Sequence, residues 1–301
     1  MNFTTFPFVS VIIPVFNDSL QVKKLINILK DQSYPRESFE IIVINNSSTD
    51  DLSVVSKISG IIFLNEYHTQ SSYAARNRGI SISRGEILCF LDSDCLPDRH
   101  WLENGIKTMG SFGAHLVGGN VIFEISKKAT AAEYYDSVTN MQAKRNIQKL
   151  GVTTTVNLFL KREVIDKTGV FPENLRSGAD IYYTALAVNR GFKLVYSPDA
   201  FVTHPARKFK QLMKKARRVG SGKRKVSEYI DAAPAEKKIP VKKMRGRHPL
   251  DHLNPIRIWK DVKEKGFKIS ILKLFQIMLV SYCYLFILGL SKKFPEKNQS
   301  S

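Results

Sequence analysis

The chain has 301 residues, 43 % of them hydrophobic, enough for a real core in one large domain or two modest ones. Its net charge of +19 is unevenly spread: residues 1–204 carry 21 Lys and Arg against 20 Asp and Glu, residues 205–268 carry 21 against 6, and residues 269–301 carry 4 against 1. Cys89, Cys95 and Cys283 form no Cys-x-x-Cys pair and the N-terminus lacks a signal-peptide pattern, which argues against a disulfide-built secreted protein and makes a reducing compartment the expectation.

In chain order, Val9 to Val15 reads as a strand, Ser19 to Lys30 as a helix, and Glu40 to Ile44 and Ile61 to Leu64 as further strands. A helix follows over Ser71 to Ser83, then strands over Ile87 to Leu91, Leu116 to Phe123 and Thr153 to Leu160, and a last helix over Ile181 to Asn189 that ends at Gly191. Short β-branched runs alternating with helical patterns predict an α/β fold on a mostly parallel sheet. Beyond Pro205 the chain turns Lys/Arg-rich, with little regular apolar period and with Pro234, Pro240, Pro249 and Pro255, as in a surface or partly disordered extension. One helix within it, Phe209 to Val219, carries five basic residues that could grip a diphosphate. Leu274 to Leu290 has no charge over 17 residues. As a helix it spans about 26 Å, which leaves a membrane-associating, a transmembrane and a buried helix all open. The resulting division is a catalytic domain over 1–205, a basic extension over 206–268, an apolar helix over 269–291 and a polar tail over 292–301.

The chemistry-bearing residues sit where predicted strands end. Asp92-Ser93-Asp94 follows the run Ile87 to Leu91; on an extended backbone the two carboxylates alternate and point to one side, which suits Mg²⁺ or Mn²⁺. Taken alone, the triplet reads first as an acidic turn capping a helix, and its surroundings must decide. Pro14, Phe16 and Asp18 close the first strand, where open α/β sheets bind nucleotides, although Asn17-Asp18-Ser19 also reads as a helix cap. Asn45 and Asn46 open the turn after the second strand and carry amides able to read a nucleobase edge, while a plain capping turn with Ser48 or Thr49 as N-cap is an equal reading that does not exclude it. Arg76 and Arg78, early in the helix before Asp92, are of the type that pairs with a diphosphate, although solvated helix arginines are the commoner fate of such residues.

Together these ordered motifs resemble the family 2 glycosyltransferases, inverting enzymes of the GT-A fold that use nucleotide-diphospho-sugars. The resemblance covers roughly residues 8–205, through VSVIIPVFN, INNSSTD, AARNRG, FLDSDC with Pro97 and Trp101 after it, and SGAD. It implies a metal held at Asp92 and Asp94, and a donor site that includes Pro14, Phe16, Asp18, Asn46, Arg76, Asp92 and His204. It also implies Asp180 as the general base that takes the acceptor hydroxyl's proton. Two positions depart from the family: Asn45-Asn46 stands where Asp-Asp or Asp-Asn is usual, and Ala179 stands where Glu commonly precedes the base.

The expected activity is transfer of a single sugar to a glycan or lipid-linked glycan acceptor, in cell-surface polysaccharide or glycolipid synthesis. The basic segment beside the apolar run predicts an anionic membrane surface as a partner, with the catalytic domain on the cytoplasmic face. A processive polysaccharide synthase is disfavoured, since Gln211-Leu212-Met213-Lys214-Lys215 stands where such relatives carry Gln-x-x-Arg-Trp. A catalytically weak binding protein of the same fold is the other alternative. Nucleic acid is disfavoured because no nucleic-acid module accompanies the basic patch.

Overall fold

The computed structural model describes residues 6–175, 177–234 and 253–293. The prolines Pro240 and Pro249 of the basic stretch, and the polar tail beyond residue 293, lie outside the described residues. The first half of the chain contains β1 (Val9–Val15), α1 (Ser19–Lys30), β2 (Phe39–Asn45), α2 (Ser53–Ser56), β3 (Ile62–Asn65), α3 (Ser72–Ile82), β4 (Ile87–Leu91), β5 (Leu96–Pro97), α4 (Trp101–Ser111) and β6 (Leu116–Glu124). It continues with α5 (Ala131–Thr139), α6 (Ala143–Leu150), β7 (Asn157–Lys161), α7 (Arg162–Thr168), α8 (Ala179–Asn189), β8 (Leu194–Pro205), α9 (Phe209–Ala232), α10 (Pro255–Glu264) and α11 (Ile271–Lys293).

The strands form one eight-stranded sheet in the order β3-β2-β1-β4-β7-β6-β8-β5. β1 pairs in parallel with both β2 and β4, and β2 with β3, which is the βαβ half expected from the alternating pattern. Every residue of β1, β2 and β4 is buried, as befits parallel strands covered on both faces, and this is why they read as unbroken apolar runs. From β4 the sheet turns antiparallel: β7 pairs with β4 and with β6, and β5 with β8. The strand expected from Thr153 starts only at Asn157, because the backbone before it is engaged elsewhere. The Thr153 N–H donates to Thr184 Oγ1 at 3.1 Å and the Thr155 N–H to Asp180 Oδ2 at 3.4 Å, both on α8.

The chain divides into two compact units. One takes the chain up to Ile122 and again from Ala143 to His204; the other takes Phe123–Gln142 and the chain from Pro205 on. In the second unit α9 runs unbroken for 24 residues, where the sequence shows little apolar period. Its buried face is Leu212, Met213, Ala216, Gly220, Gly222, Val226 and Ile230, and the two glycines add nothing to hydropathy while still belonging to that face. The core of this unit joins Leu212, Met213 and Ala216 to Tyr135 of α5, Ile258 and Val262 of α10, and Ile277, Val280 and Tyr284 of α11.

Candidate active site

Three parallel strands of the first unit deliver their C-terminal turns to one edge, the place where open α/β sheets bind ligands. The β1 and β2 turns are stapled to each other. Asn17 adopts a left-handed backbone (φ 53°), which Asn tolerates better than most residues. Its Oδ1 accepts from the Thr49 N–H at 2.7 Å and from Thr49 Oγ1 at 3.1 Å, and its own N–H donates to Ser48 Oγ at 3.0 Å. Asp50 Oδ2 accepts from the Ser19 N–H at 2.8 Å. The two asparagines that open the β2 turn have different fates. Asn45 is structural: Oδ1 accepts from the Ser48 N–H at 2.9 Å and Nδ2 donates to Asn65 Oδ1 at 3.1 Å. Asn46 is buried, yet its Oδ1 has no hydrogen-bond partner. A buried acceptor left unpaired is costly unless a ligand satisfies it. Phe16 is 46 % exposed at the same edge, and Pro14 is buried within β1.

Asp92-Ser93-Asp94 does not continue the strand. β4 stops at Leu91, and the Cys95 N–H donates back to the Asp92 carbonyl at 3.1 Å to close a turn. The period of two therefore lapses, and the three side chains go to three partners. Arg76 Nη2 donates to Asp92 Oδ1 at 2.6 Å, Ser93 Oγ donates to Asp18 Oδ2 at 2.7 Å, and Asp94 Oδ2 lies 3.3 Å from His204 Nε2. Asp18 starts α1 but makes no side-chain cap bond; the Ser93 hydroxyl has it instead. Burial raises the Asp18 carboxyl above its ordinary pKa, the Ser93 bond lowers it, and the nearby Asp94 and Asp50 charges raise it further. Among the described residues, the cluster able to hold a metal ion is Asp94, Cys95 and His204, whose ligand atoms lie within 4.8 Å of one another. Asp92 stands outside it.

Helix α3 organises the rest. Arg76 is 3 % exposed and its Nε is buried without a partner, while Arg78, two positions on and so on another face, is exposed. Asn77 holds the loop before α8: Nδ2 donates to the Phe171 carbonyl and to Glu173 Oε1, both at 2.8 Å, and Oδ1 accepts from the Phe171 N–H at 3.0 Å. Gly79 lets α3 press on the sheet, since a Cβ there would stand 2.6 Å from Ile12 Cγ2. Tyr73 Oη donates to Asp180 Oδ1 at 3.0 Å, and its ring lies 5.6 Å from the Arg76 guanidinium. Asp180 occupies the first turn of α8, entered through Gly178 with φ 87°, where the helix dipole favours an anion. Ala179 beside it is fully buried, so the position of the missing Glu is part of the core.

Sequence reasoning passed over Tyr73, Ser93, Asp50 and Cys95. The i, i+3 spacing of Tyr73 and Arg76, which puts both on one helix face, was the available signal for the first.

A sheet of this order, with these turns at its strand ends, defines a GT-A fold. The chain belongs to glycosyl transferase family 2, whose family model matches residues 10–169. Glycosyltransferase AglE of Haloferax volcanii is 45 % identical over 224 residues, which cover 73 % of this chain and 74 % of that protein. A second relative, the dolichyl N-acetyl-alpha-D-glucosaminyl phosphate 3-beta-D-2,3-diacetamido-2,3-dideoxy-beta-D-glucuronosyltransferase of Methanococcus voltae, is 25 % identical over 210 residues, 64 % of this chain and 65 % of that protein. Among solved structures, mannosyltransferase PcManGT from Pyrobaculum calidifontis, in complex with GDP-Man and Mn²⁺, superposes with a TM-score of 0.65 at 18 % identity, covering 98 % of this chain and 89 % of that one. That likeness shows the fold.

Proposed function

We propose that this glycosyltransferase moves one sugar from a nucleotide-diphospho-sugar to a hydroxyl of a glycan or lipid-linked glycan acceptor, with inversion at the anomeric carbon, at the cytoplasmic face of a membrane. The observation that carries the reading is the double grip of α3, which holds Asp92 through Arg76 and Asp180 through Tyr73. The donor class is supported by GDP-Man in the Pyrobaculum enzyme, and the lipid-linked acceptor by the name of the Methanococcus relative.

The nucleobase stacks on exposed Phe16 and satisfies Asn46 Oδ1. Asp92, oriented by Arg76, takes the ribose or a phosphate edge of the donor. A divalent ion fits the donor set: Asp94 Oδ2 and His204 Nε2 stand 3.3 Å apart, close to the roughly 3 Å between neighbouring ligands of an octahedral ion. The crowded carboxylates Asp18, Asp50 and Asp94 would also gain from a cation. When bound by Asp94 and His204, Mg²⁺ or Mn²⁺ supplies Lewis-acid charge beside the diphosphate, and the imidazole favours the transition metal. Asp180 accepts the acceptor hydroxyl's proton on the opposite face of the sugar, with Tyr73 and the Thr155 N–H fixing its carboxylate.

The test is to incubate the purified full chain with a panel of nucleotide-sugars in Mg²⁺ or Mn²⁺, with and without a polyprenyl-phosphate sugar acceptor. Nucleoside diphosphate release and the anomeric configuration of the product are then read by NMR. Acceptor-dependent release with an inverted product is expected. A retained configuration would refute Asp180 as the base, and inertness toward every donor would refute the enzyme reading.

A further inference from the structure

Helix α11 carries no charge from Leu274 to Leu290, yet only one side of it is buried. Ile277, Val280, Ser281 and Tyr284 are its buried residues. At about 100° per residue they share one face, and Leu272, Phe275, Leu279, Tyr282, Phe286 and Leu290 fall on the opposite one, within an arc of about 100°. Those six are 44–70 % exposed. They form a continuous apolar stripe about 27 Å long. Beside its N-terminal end, Ile271 and Leu274 of α11 and exposed Ile256 and Trp259 of α10 line an apolar groove of about 400 Å³.

By length and composition α11 could cross a bilayer, with a mean hydropathy of 2.0. Its neighbour forbids that. α9 lies against it so closely that a Cβ on Gly220 would stand 2.5 Å from the Leu288 carbonyl, and Leu212, Met213 and Ala216 share the core with Ile277, Val280 and Tyr284. α9 carries eight Lys and Arg and two acidic residues over its 24 positions. A crossing would drag these charges into hydrocarbon or tear the shared core apart. A helix lying in the interface plane meets neither penalty, with one face on the protein and the other in lipid.

We propose that α11 lies in the plane of the membrane, its exposed stripe seated among the acyl chains of an anionic bilayer. This deepens the membrane placement proposed above by fixing its geometry. The charges complement that seat. Lys260, Lys263 and Lys268 beside the α10 end, and Lys292 and Lys293 at the far end of α11, are exposed and reach anionic headgroups. Trp259, with the Lys263 ammonium 5.0 Å from its ring, has the amphipathic character of an interfacial anchor.

The full chain, with Cys283→Ser to clear the helix, is mixed with vesicles of phosphatidylcholine containing about one third phosphatidylglycerol and floated on a density gradient. Binding at least tenfold stronger than to pure phosphatidylcholine is expected, and a Phe275→Ser/Phe286→Ser variant should lose at least tenfold while keeping its near-ultraviolet dichroism, since both residues are exposed. With cysteines placed at Lys268 and Lys293, both exposed at the headgroup level on either end of α11, an impermeant maleimide added outside the vesicles should reach both. Labelling of one end alone would mean a span and overturn the proposal. Failure to float, with the serine variant converting a dimer to a monomer, would show that a second copy covers the stripe and overturn it equally. Flotation needs no activity, so a chain that floats but is inert with every donor refutes the catalytic reading and leaves the seat standing.

Discussion

Tyr73 Oη donates a 3.0 Å hydrogen bond to Asp180 Oδ1 across 107 positions of sequence, and one helical turn further along α3 Arg76 grips Asp92 at 2.6 Å. A single rigid helix thus sets the spacing between the proposed base and the proposed donor clamp. With Ala179 in place of the family's Glu, Tyr73 is the side chain that orients the base from outside α8. A hydrogen bond to a charged group is worth about 1.5–3 kcal/mol, roughly ten- to hundredfold in rate when it acts on the transition state. Tyr73→Phe should therefore lower kcat by at least tenfold and leave the donor KM within about twofold, whereas Asp180→Asn should cost several orders of magnitude in kcat. Steady-state kinetics on both variants checks this. Unchanged kcat in Tyr73→Phe would reduce the bond to packing.

Asp94 and His204 make a metal prediction. Asp94→Ala should abolish the Mn²⁺-dependent part of donor binding measured by calorimetry, and His204→Ala should weaken Mn²⁺ more than Mg²⁺, because magnesium prefers oxygen alone. Asp92→Asn should weaken donor binding and spare metal affinity, since Asp92 pairs with Arg76 and stands apart from the Asp94 cluster. Equal loss of metal from the Asp92 and Asp94 variants would overturn that division.

Much of this was legible in the chain. The parallel strands read cleanly because burial on both faces leaves an unbroken apolar run, and the candidate site is built on the turns at their ends. What the strand period does not reach is the local pairing of the two carboxylates. The strand ends at Leu91 and a turn follows, in which Asp92 pairs with Arg76 and Asp94 with His204. Which of Asn45 and Asn46 is free to meet a ligand depends on Asn65 and Ser48, contacts that sequence spacing does not encode. The α9 face was hidden by its buried glycines, which add no hydropathy; the value of Gly220 lies in the close approach to α11 that it permits.

Gly79→Ala tests how tightly α3 is held. The added methyl would meet Ile12 Cγ2 at 2.6 Å and Ile44 Cδ1 at 2.9 Å, side chains already fixed between parallel strands. Overpacking of this kind costs about 1–3 kcal/mol. A lowered Tm is expected, together with a fall in kcat, because tilting α3 moves Tyr73 and Arg76 together. A variant with full activity and reduced Tm would show that the strain is absorbed away from the site.

Thr130 and Glu133 make a reciprocal cap at the start of α5, in the second unit. Thr130 N–H and Oγ1 each donate to Glu133 Oε2 at 2.8 Å, and the Ser126 N–H donates to Oε1 at 3.0 Å. Burial alone would raise the Glu133 carboxyl, but these donors outweigh it and bring it from an ordinary 4.5 down to about 2. A carboxyl depressed on folding contributes stability that is fully present above its unfolded pKa and is lost as the pH falls through the folded one. The second unit should therefore weaken progressively from about pH 4.5 to about pH 2, and Glu133→Gln should flatten that part of the profile. Thr130→Ala should cost about 1 kcal/mol at neutral pH through loss of the cap. The chain's two tryptophans fall one in each unit, so a Trp101→Phe variant reports the second unit through Trp259. Urea midpoints followed by that signal at pH 7, 4 and 2.5 measure the slope, and an identical slope in Glu133→Gln would show that another carboxylate carries the acid sensitivity.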